Sequence, residues 1–182
     1  MSFDEINYKV VLLGEPAVGK TSLIRQFVEK AFSEEYISTL GVDFSTKVVD
    51  LPKISDKPIK LTLWDVAGHT RFATYQKVFL TGAQGAMLVF DLTRPNTSGE
   101  LQRWAQTLKQ YAPKSDLIIL ANKKDLTPDL PKDISMKLKQ LTTDLDADSY
   151  YLTSAKTGDG VDEAFHTLAS LIYEQVSSET RS

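Results

Sequence analysis

Cysteine is absent from this 182-residue chain, and histidine and tryptophan occur only twice each. Without cysteine there is no disulfide framework, no thiolate metal site and no residue to carry a prenyl or palmitoyl group, so no lipid anchor is expected in this chain. Long apolar runs are missing too, and Met1 to Glu5 has neither a basic n-region nor an apolar h-region, which predicts a cytoplasmic protein. Positive charge is not in excess: a net charge of −3 argues against nonspecific nucleic-acid binding. No internal repeat and no long linker divides the chain. At 42% hydrophobic and 25% charged residues, its length suits one domain that buries a core without staples.

The most informative segment is Gly14-Glu15-Pro16-Ala17-Val18-Gly19-Lys20-Thr21, which fits GxxxxGK[ST] at every fixed position. It follows the hydrophobic run Tyr8 to Leu13, suited to a buried parallel strand, and precedes Ser22 to Phe27, which has helical character. Glycines there let successive backbone N–H groups turn around an oxyanion, Lys20 adds a point charge, and the helix N-terminus adds its dipole. Further strands are predicted over Val42 to Asp50, Ile59 to Trp64, Gly85 to Asp91, Leu117 to Ala121 and Ser149 to Thr153. Helices are predicted near Ser98 to Tyr111, Asp133 to Leu141 and Gly160 to Gln175. In the third of the six strands, Ile59, Leu61 and Leu63 share one face and Lys60 and Thr62 the other, which predicts an antiparallel pair at a sheet edge. The remaining alternation of strands and helices predicts an α/β fold: a mostly parallel six-stranded sheet with one antiparallel edge strand and helices on both faces. Residues 1–7 are expected to be an N-terminal extension, 8–176 the domain, and the polar stretch 177–182 a frayed tail.

Two later motifs agree with the first. Asp65-Val66-Ala67-Gly68 follows a strand; a carboxylate there can hold a magnesium ion through water, and the glycine lets its N–H approach a terminal phosphate. Asn122-Lys123-Lys124-Asp125 also follows a strand. Guanine presents N1–H and N2–H₂ as neighbouring donors that one carboxylate can accept, whereas adenine lacks the amine, so Asp125 is suited to choose guanine. Asn122 can bridge base and phosphate loop, and the Lys123 stem can lie over the ring. Thr153-Ser154-Ala155-Lys156 supplies a loop to close over the base. Alone, the second and third motifs read better as polar turns; in this order, each after a strand, they point to one site.

With the segment Tyr36 to Phe44, these residues make the chain resemble a small GTPase of the Ras superfamily, over roughly Tyr8 to Gln175, and most closely its Rab branch. The resemblance implies a P-loop GTPase (G domain) that binds GTP and GDP with Mg²⁺ and acts as a nucleotide-dependent switch. It implies nucleotide contacts from Gly14, Pro16, Ala17, Val18, Gly19, Lys20, Thr21, Ser22, Phe32, Thr39, Gly68, Asn122, Lys123, Asp125, Ser154, Ala155 and Lys156. Thr21, Thr39 and Asp65 would serve Mg²⁺, the last through water. Lys20, Gly68 and His69 would carry the hydrolysis. It further implies effector proteins that bind the Thr39 to Phe44 segment with Trp64 and Phe79, an exchange factor, a GTPase-activating protein and a role in vesicle traffic. The three aromatics read equally well as packing between strands and the following helix.

Three positions depart from that pattern. His69 stands where the superfamily has the glutamine that orients the attacking water, which predicts slow unassisted hydrolysis or, alternatively, a GTP-loaded scaffold with little hydrolysis. Translational GTPases carry histidine there, so an imidazole is compatible with catalysis. Pro16 fixes φ and removes one N–H from the rim of the phosphate loop. The C-terminal residues lack the cysteines of Rab tails, which leaves either an unlipidated protein or a shortened chain. An ATPase or nucleotide kinase remains the reading from another class, and it conflicts with Asn122 to Asp125.

Overall fold

The computed structural model describes residues 6–35, 39, 41–68 and 75–180. Its elements run in the order β1 (Ile6–Leu13), α1 (Lys20–Glu29), β2 (Val42–Val49), β3 (Ile59–Val66), α2 (Gln76–Leu80), β4 (Gly85–Asp91), α3 (Leu101–Tyr111), β5 (Asp116–Asn122), α4 (Ile134–Leu145), β6 (Ser149–Leu152) and α5 (Val161–Thr180). The six strands form one sheet in the order β2-β3-β1-β4-β5-β6. All neighbours are parallel except β2 and β3, which pair antiparallel and put β2 at the edge. The mostly parallel α/β sheet with its antiparallel edge strand is thus as expected.

Burial explains the layering. All seven residues of β4 are buried, as a strand covered on both faces requires. Along β1 the side chains part to opposite sides: Val10 and Leu12 join Phe27 of α1 and Phe165, Leu168 and Ile172 of α5, while Val11 and Leu13 join Trp104 of α3 and Leu138 and Leu145 of α4. Two hydrophobic layers result, one on each side of the sheet. In α5 the buried set Val161, Ala164, Phe165, Leu168, Ala169 and Ile172 follows the helical period. Phe165 stacks on Phe27 with centroids 4.1 Å apart, and Gly85 lets α5 approach closely, since a β-carbon there would lie 2.6 Å from Ile172 Cδ1.

Several boundaries differ from expectation for local reasons. Ile6 and Asn7 pair with Ile59 and Lys60 and so belong to β1 rather than to an extension. Residues 177–180 continue α5 rather than fraying. A separate 3₁₀ turn, Pro95–Ser98, precedes α3, and Pro95 fits its first position, where no N–H is needed. The short helix α2 has no counterpart among the predicted elements.

Topology places the site. From β1 the chain crosses toward β3, and from β4 toward β5, so connections diverge between these adjacent strands; ligands in open α/β sheets bind outside the strand C-termini at such a point. Gly14, Ala67 and Gly68, Lys123 and Thr153 all follow C-terminal ends of strands.

Candidate functional site

Between β1 and α1 the chain makes a loop that depends on two glycines. Gly14 has φ 147° and Gly19 φ 105°; a β-carbon would fall 2.2 Å from Val89 O at the first and 2.3 Å from Asn122 Nδ2 at the second. Either would force main chain or a buried amide to move. Ala17 also takes the left-handed region, φ 61°, at a cost of about 1 kcal/mol that glycine would not incur. Val18 is buried beneath the loop.

Lys20 is buried, and its Nζ donates to Gly14 O and Glu15 O, both at 2.9 Å. Burial pulls its ammonium pKa down to about 8, against the attraction of Asp65 and Glu15, so it remains a cation at neutral pH. A buried cation held chiefly by main-chain carbonyls is a ready hydrogen-bond donor to anionic oxygen.

Beside it, the Thr21 hydroxyl donates to Asp65 Oδ2, lies 3.0 Å from Thr39 Oγ1, and the Thr39 hydroxyl donates to the same Oδ2 at 3.4 Å. Burial raises the Asp65 carboxyl, with the Thr21 bond, Lys20 and the Thr39 bond working the other way. Asp65 Oδ1 is buried with no hydrogen-bond partner among the described residues. Two hydroxyls and a carboxylate with an unsatisfied buried oxygen fit a hard, oxygen-seeking cation such as Mg²⁺. No group of three or more His, Asp and Glu suited to a metal occurs among the described residues, so the fit rests on this mixed set.

Gly68 packs backbone to backbone on the loop: a β-carbon would lie 2.5 Å from Gly14 O and 2.6 Å from both Glu15 C and Pro16 N. His69 lies outside the described residues, as do Tyr36, Ile37, Ser38 and Leu40.

At the other end, Asn122 is buried; its Nδ2 donates to Val18 O at 2.9 Å and its Oδ1 accepts from Thr153 Oγ1 at 3.2 Å. One amide thereby joins β5 to the phosphate loop and to the loop after β6. Lys123 takes φ 68°, and its Nζ meets Asp91 Oδ2 at 2.8 Å. Ser154 Oγ donates to Asp125 Oδ1 at 2.6 Å while accepting from Thr157 N, which orients the carboxylate. Lys156 Nζ pairs with Glu34 Oε1 at 2.9 Å across the mouth of the site.

A cavity of about 280 Å³ runs between these ends. Pro16, Ala17, Gly19 to Ser22, Phe32, Thr39, Gly68, Asn122, Lys123, Asp125, Ala155 and Lys156 line it. Gly14, Val18 and Ser154 support its walls from behind, and Asp65 lines a smaller adjoining cavity that shares Thr21. Glu34 and Asp91 went unremarked in the sequence. Asp91 had a signal: a carboxylate that ends a run of six buried residues needs partners.

The aromatic positions divide. Phe44 is half exposed and meets Trp64 edge to face, centroids 4.5 Å apart; Lys9 Nζ lies over Trp64, 3.6 Å from its ring centroid. Phe79 packs partly buried against the core and stacks on exposed Tyr75 at 6.1 Å. These residues pack against one another and the core, and of the three Phe44 leaves the most apolar area outside.

The sequence model of the Ras family matches residues 9–174. The Ras-related protein SEC4 of Saccharomyces cerevisiae is 36% identical over 183 aligned residues, covering 97% of this chain and 80% of the relative. The Ras-related protein Rab-13 of Canis lupus familiaris is 37% identical over 165 residues, 89% of this chain and 78% of the relative. The Ras-related protein Rab-32B of Dictyostelium discoideum is 36% identical over 172 residues, 92% of this chain and 65% of the relative.

Proposed function

The chain belongs to the Ras family and is a Rab-like GTPase, and from that premise we propose that its cavity holds a guanine nucleotide with Mg²⁺ and reports the γ-phosphate to protein partners. One observation carries the reading. The phosphate loop, Thr21 with Thr39, and the Asn122 to Asp125 loop all meet at that one cavity, and Asp65 bonds Thr21 from the smaller cavity beside it.

The base end reads guanine through the Asp125 carboxylate, held in place by Ser154, with Phe32, Lys123 and Ala155 against the ring. Backbone N–H groups from Gly19 onward and the Lys20 ammonium hold the phosphates. Thr21, Thr39 and Asp65 hold Mg²⁺, which when bound neutralises charge on the phosphates. Hydrolysis transfers the γ-phosphoryl group to water: a phosphorus–oxygen bond to water forms, the bond to the bridging oxygen breaks, and GDP leaves with phosphate. The chain's own contribution is electrostatic, from Lys20 and the loop N–H groups, with Gly68 N–H on the γ-phosphate and His69 beside the attacking water. Lacking the usual glutamine, the intrinsic rate is low. Thr39 and Gly68 sense the γ-phosphate, and their release on hydrolysis relaxes the segments that carry them.

Effector proteins read the Thr39 to Phe44 segment with Trp64 and Phe79, and an exchange factor and an activating protein set the cycle. Half-exposed Phe44 against Trp64 supports that surface. No helix among the described residues is long and apolar enough to cross a membrane, so a role in vesicle traffic would use peripheral attachment.

Asp125→Asn tests the assignment. Exchanging the acceptor carboxylate for an amide should move preference from guanine to xanthine nucleotides in displacement titrations; retained guanine preference would overturn it. His69 also supports the second reading, a GTP-loaded scaffold. Single-turnover hydrolysis separates the two: a wild-type chain whose bound GTP stays intact over the time in which His69→Gln converts it fully is the scaffold, and slow but complete wild-type conversion to GDP marks the switch.

A further inference from the structure

Asp91, the last residue of β4, is a fully buried carboxylate that no nucleotide contact explains. Its Oδ1 accepts from Thr93 N at 2.9 Å and Thr93 Oγ1 at 2.6 Å; its Oδ2 accepts from Arg94 Nε at 2.9 Å and Lys123 Nζ at 2.8 Å. Burial opposes its ionisation, but the bonds from Lys123, Thr93 and Arg94 outweigh that and hold the carboxyl below its ordinary range. One anion thus anchors two cations, and the cations lead to opposite ends of the cavity.

Lys123 lines the base end. Arg94 is not among the described residues that line the cavity, yet its Nη2 donates to Pro16 O at 3.1 Å, and Pro16 does line it. The guanidinium is a rigid fork, so fixing Nε on Asp91 also fixes where Nη2 points. Pro16 has no N–H, so its carbonyl is the one main-chain polar group it offers a neighbour; Glu15 beside it is held separately, its carbonyl by Lys20 at 2.9 Å and its Oε1 by Arg103 Nη2 at 3.2 Å. We propose that Arg94 is a positioning residue for the nucleotide: by tying the Pro16 turn and Lys123 to the one buried carboxylate of Asp91, it sets how long a guanine nucleotide stays bound. This rests on the reading of the cavity as a nucleotide site.

Two features make the tie specific. Its anchor is buried, so the Arg94–Asp91 bond is screened less than a pair with both ends in water. Its second bond goes to main chain, so loosening it frees the loop itself and not a side chain. Lysine at position 94 would keep a cation beside Asp91 but, as a point donor on a flexible stem, could not hold Pro16 O in the same fixed geometry.

The test uses the full chain loaded with N-methylanthraniloyl-GDP in Mg²⁺, chased with excess GDP, together with equilibrium titrations of GDP and GMP. Arg94→Ala and Arg94→Lys should both release the probe about tenfold faster than wild type, a change of about 1.4 kcal/mol. The ratio of GDP to GMP affinity should fall by a similar factor, because the loop acts on the phosphates beyond the first. A merely structural role would weaken GDP and GMP in parallel and be rescued by lysine; either result overturns the proposal, as would release within twofold of wild type. Should Arg94→Ala fail to fold, Arg94→Lys, which keeps the charge on Asp91, decides alone. A wild-type chain that does not retain the probe would instead overturn the nucleotide reading, and this proposal with it.

Discussion

Asn122→Ala is the perturbation whose size follows most directly from the geometry. The amide is about 1% exposed, and truncation leaves Val18 O without the donor now at 2.9 Å and the fully buried Thr153 hydroxyl without the acceptor at 3.2 Å. A buried polar group left unpaired costs about 1–3 kcal/mol, and water entering from the adjoining cavity can satisfy part of the loss, so a total of about 2–4 kcal/mol is expected. Because the lost bonds join three loops around one cavity, the deficit should appear twice, as a lower denaturation midpoint and as faster nucleotide release. Asn122→Asp sharpens the argument. It keeps an oxygen for Thr153 but turns the second atom from donor to acceptor, facing Val18 O, and adds charge where none is paired; it should be worse than the alanine substitution. Urea unfolding of both variants, with nucleotide at fixed saturation, gives the ranking. If Asn122→Asp equalled or exceeded Asn122→Ala in stability, the claim that the Nδ2 bond to Val18 is the important one would be refuted.

Asp116, at the start of β5, has its carboxyl pushed up to about 6 by burial, with Asp148 and Glu174 nearby, and its Oδ2 is buried without a partner among the described residues. The folded chain therefore binds a proton there that the unfolded chain has lost, so stability is greatest below the unfolded pKa and falls as pH rises through about 6. Discounted for partial exposure, the loss is about 1–2 kcal/mol, and Asp116→Asn should recover about that much at pH 7 but not at pH 4; thermal melts at both pH values that shift equally would contradict it. Gly68→Ala puts a carbon within 2.6 Å of three phosphate-loop backbone atoms, which cannot yield as a side chain tip would. Seating of that segment should fall about tenfold or more, at an overpacking cost of about 1–3 kcal/mol, and single-turnover GTP hydrolysis with it, while GDP affinity stays within twofold; an unchanged hydrolysis rate would count against Gly68 as the sensing contact.

Most of the fold was legible because burial and period agree. The unbroken apolar runs of β4 and β5 and the alternation in β3 fix which strands are covered on two faces and which on one. The phosphate loop was legible for a different reason: Gly14 and Gly19 occupy backbone angles and contacts that other residues cannot, so their spacing survives in the sequence as chemistry. What escaped was long-range pairing. Glu34 meets Lys156 across 122 positions, and Arg94 reaches back 78 positions to Pro16; Glu34 and Arg94 carry no local pattern, and ordinary charged residues in loops look alike until the loops are brought together. Ile6 was misread because a single half-buried residue ahead of an apolar run has no period of its own, and only pairing with Ile59 assigns it to the strand.

The two ends of the cavity are built from different material, and that difference governs how mutations will read out. On the proposed reading, selection at the base end falls to side chains: the Asn122 amide, the Asp125 carboxylate and the Ser154 hydroxyl that orients it. Substitution there exchanges one hydrogen-bonding pattern for another, so it changes which base is preferred. At the phosphate end, contact is largely main chain, with Gly14, Gly19 and Gly68 packed so closely that an added β-carbon would overlap backbone or a buried amide. A change there cannot create a new base preference; it moves main chain against the phosphates, and its effect depends on how many phosphates the nucleotide carries. Side chains that act on this end must therefore act from behind, by gripping carbonyls, as Lys20 does at Gly14 and Glu15 and Arg94 does at Pro16. Residence time and base choice are for that reason separable properties of this site, altered by different residues.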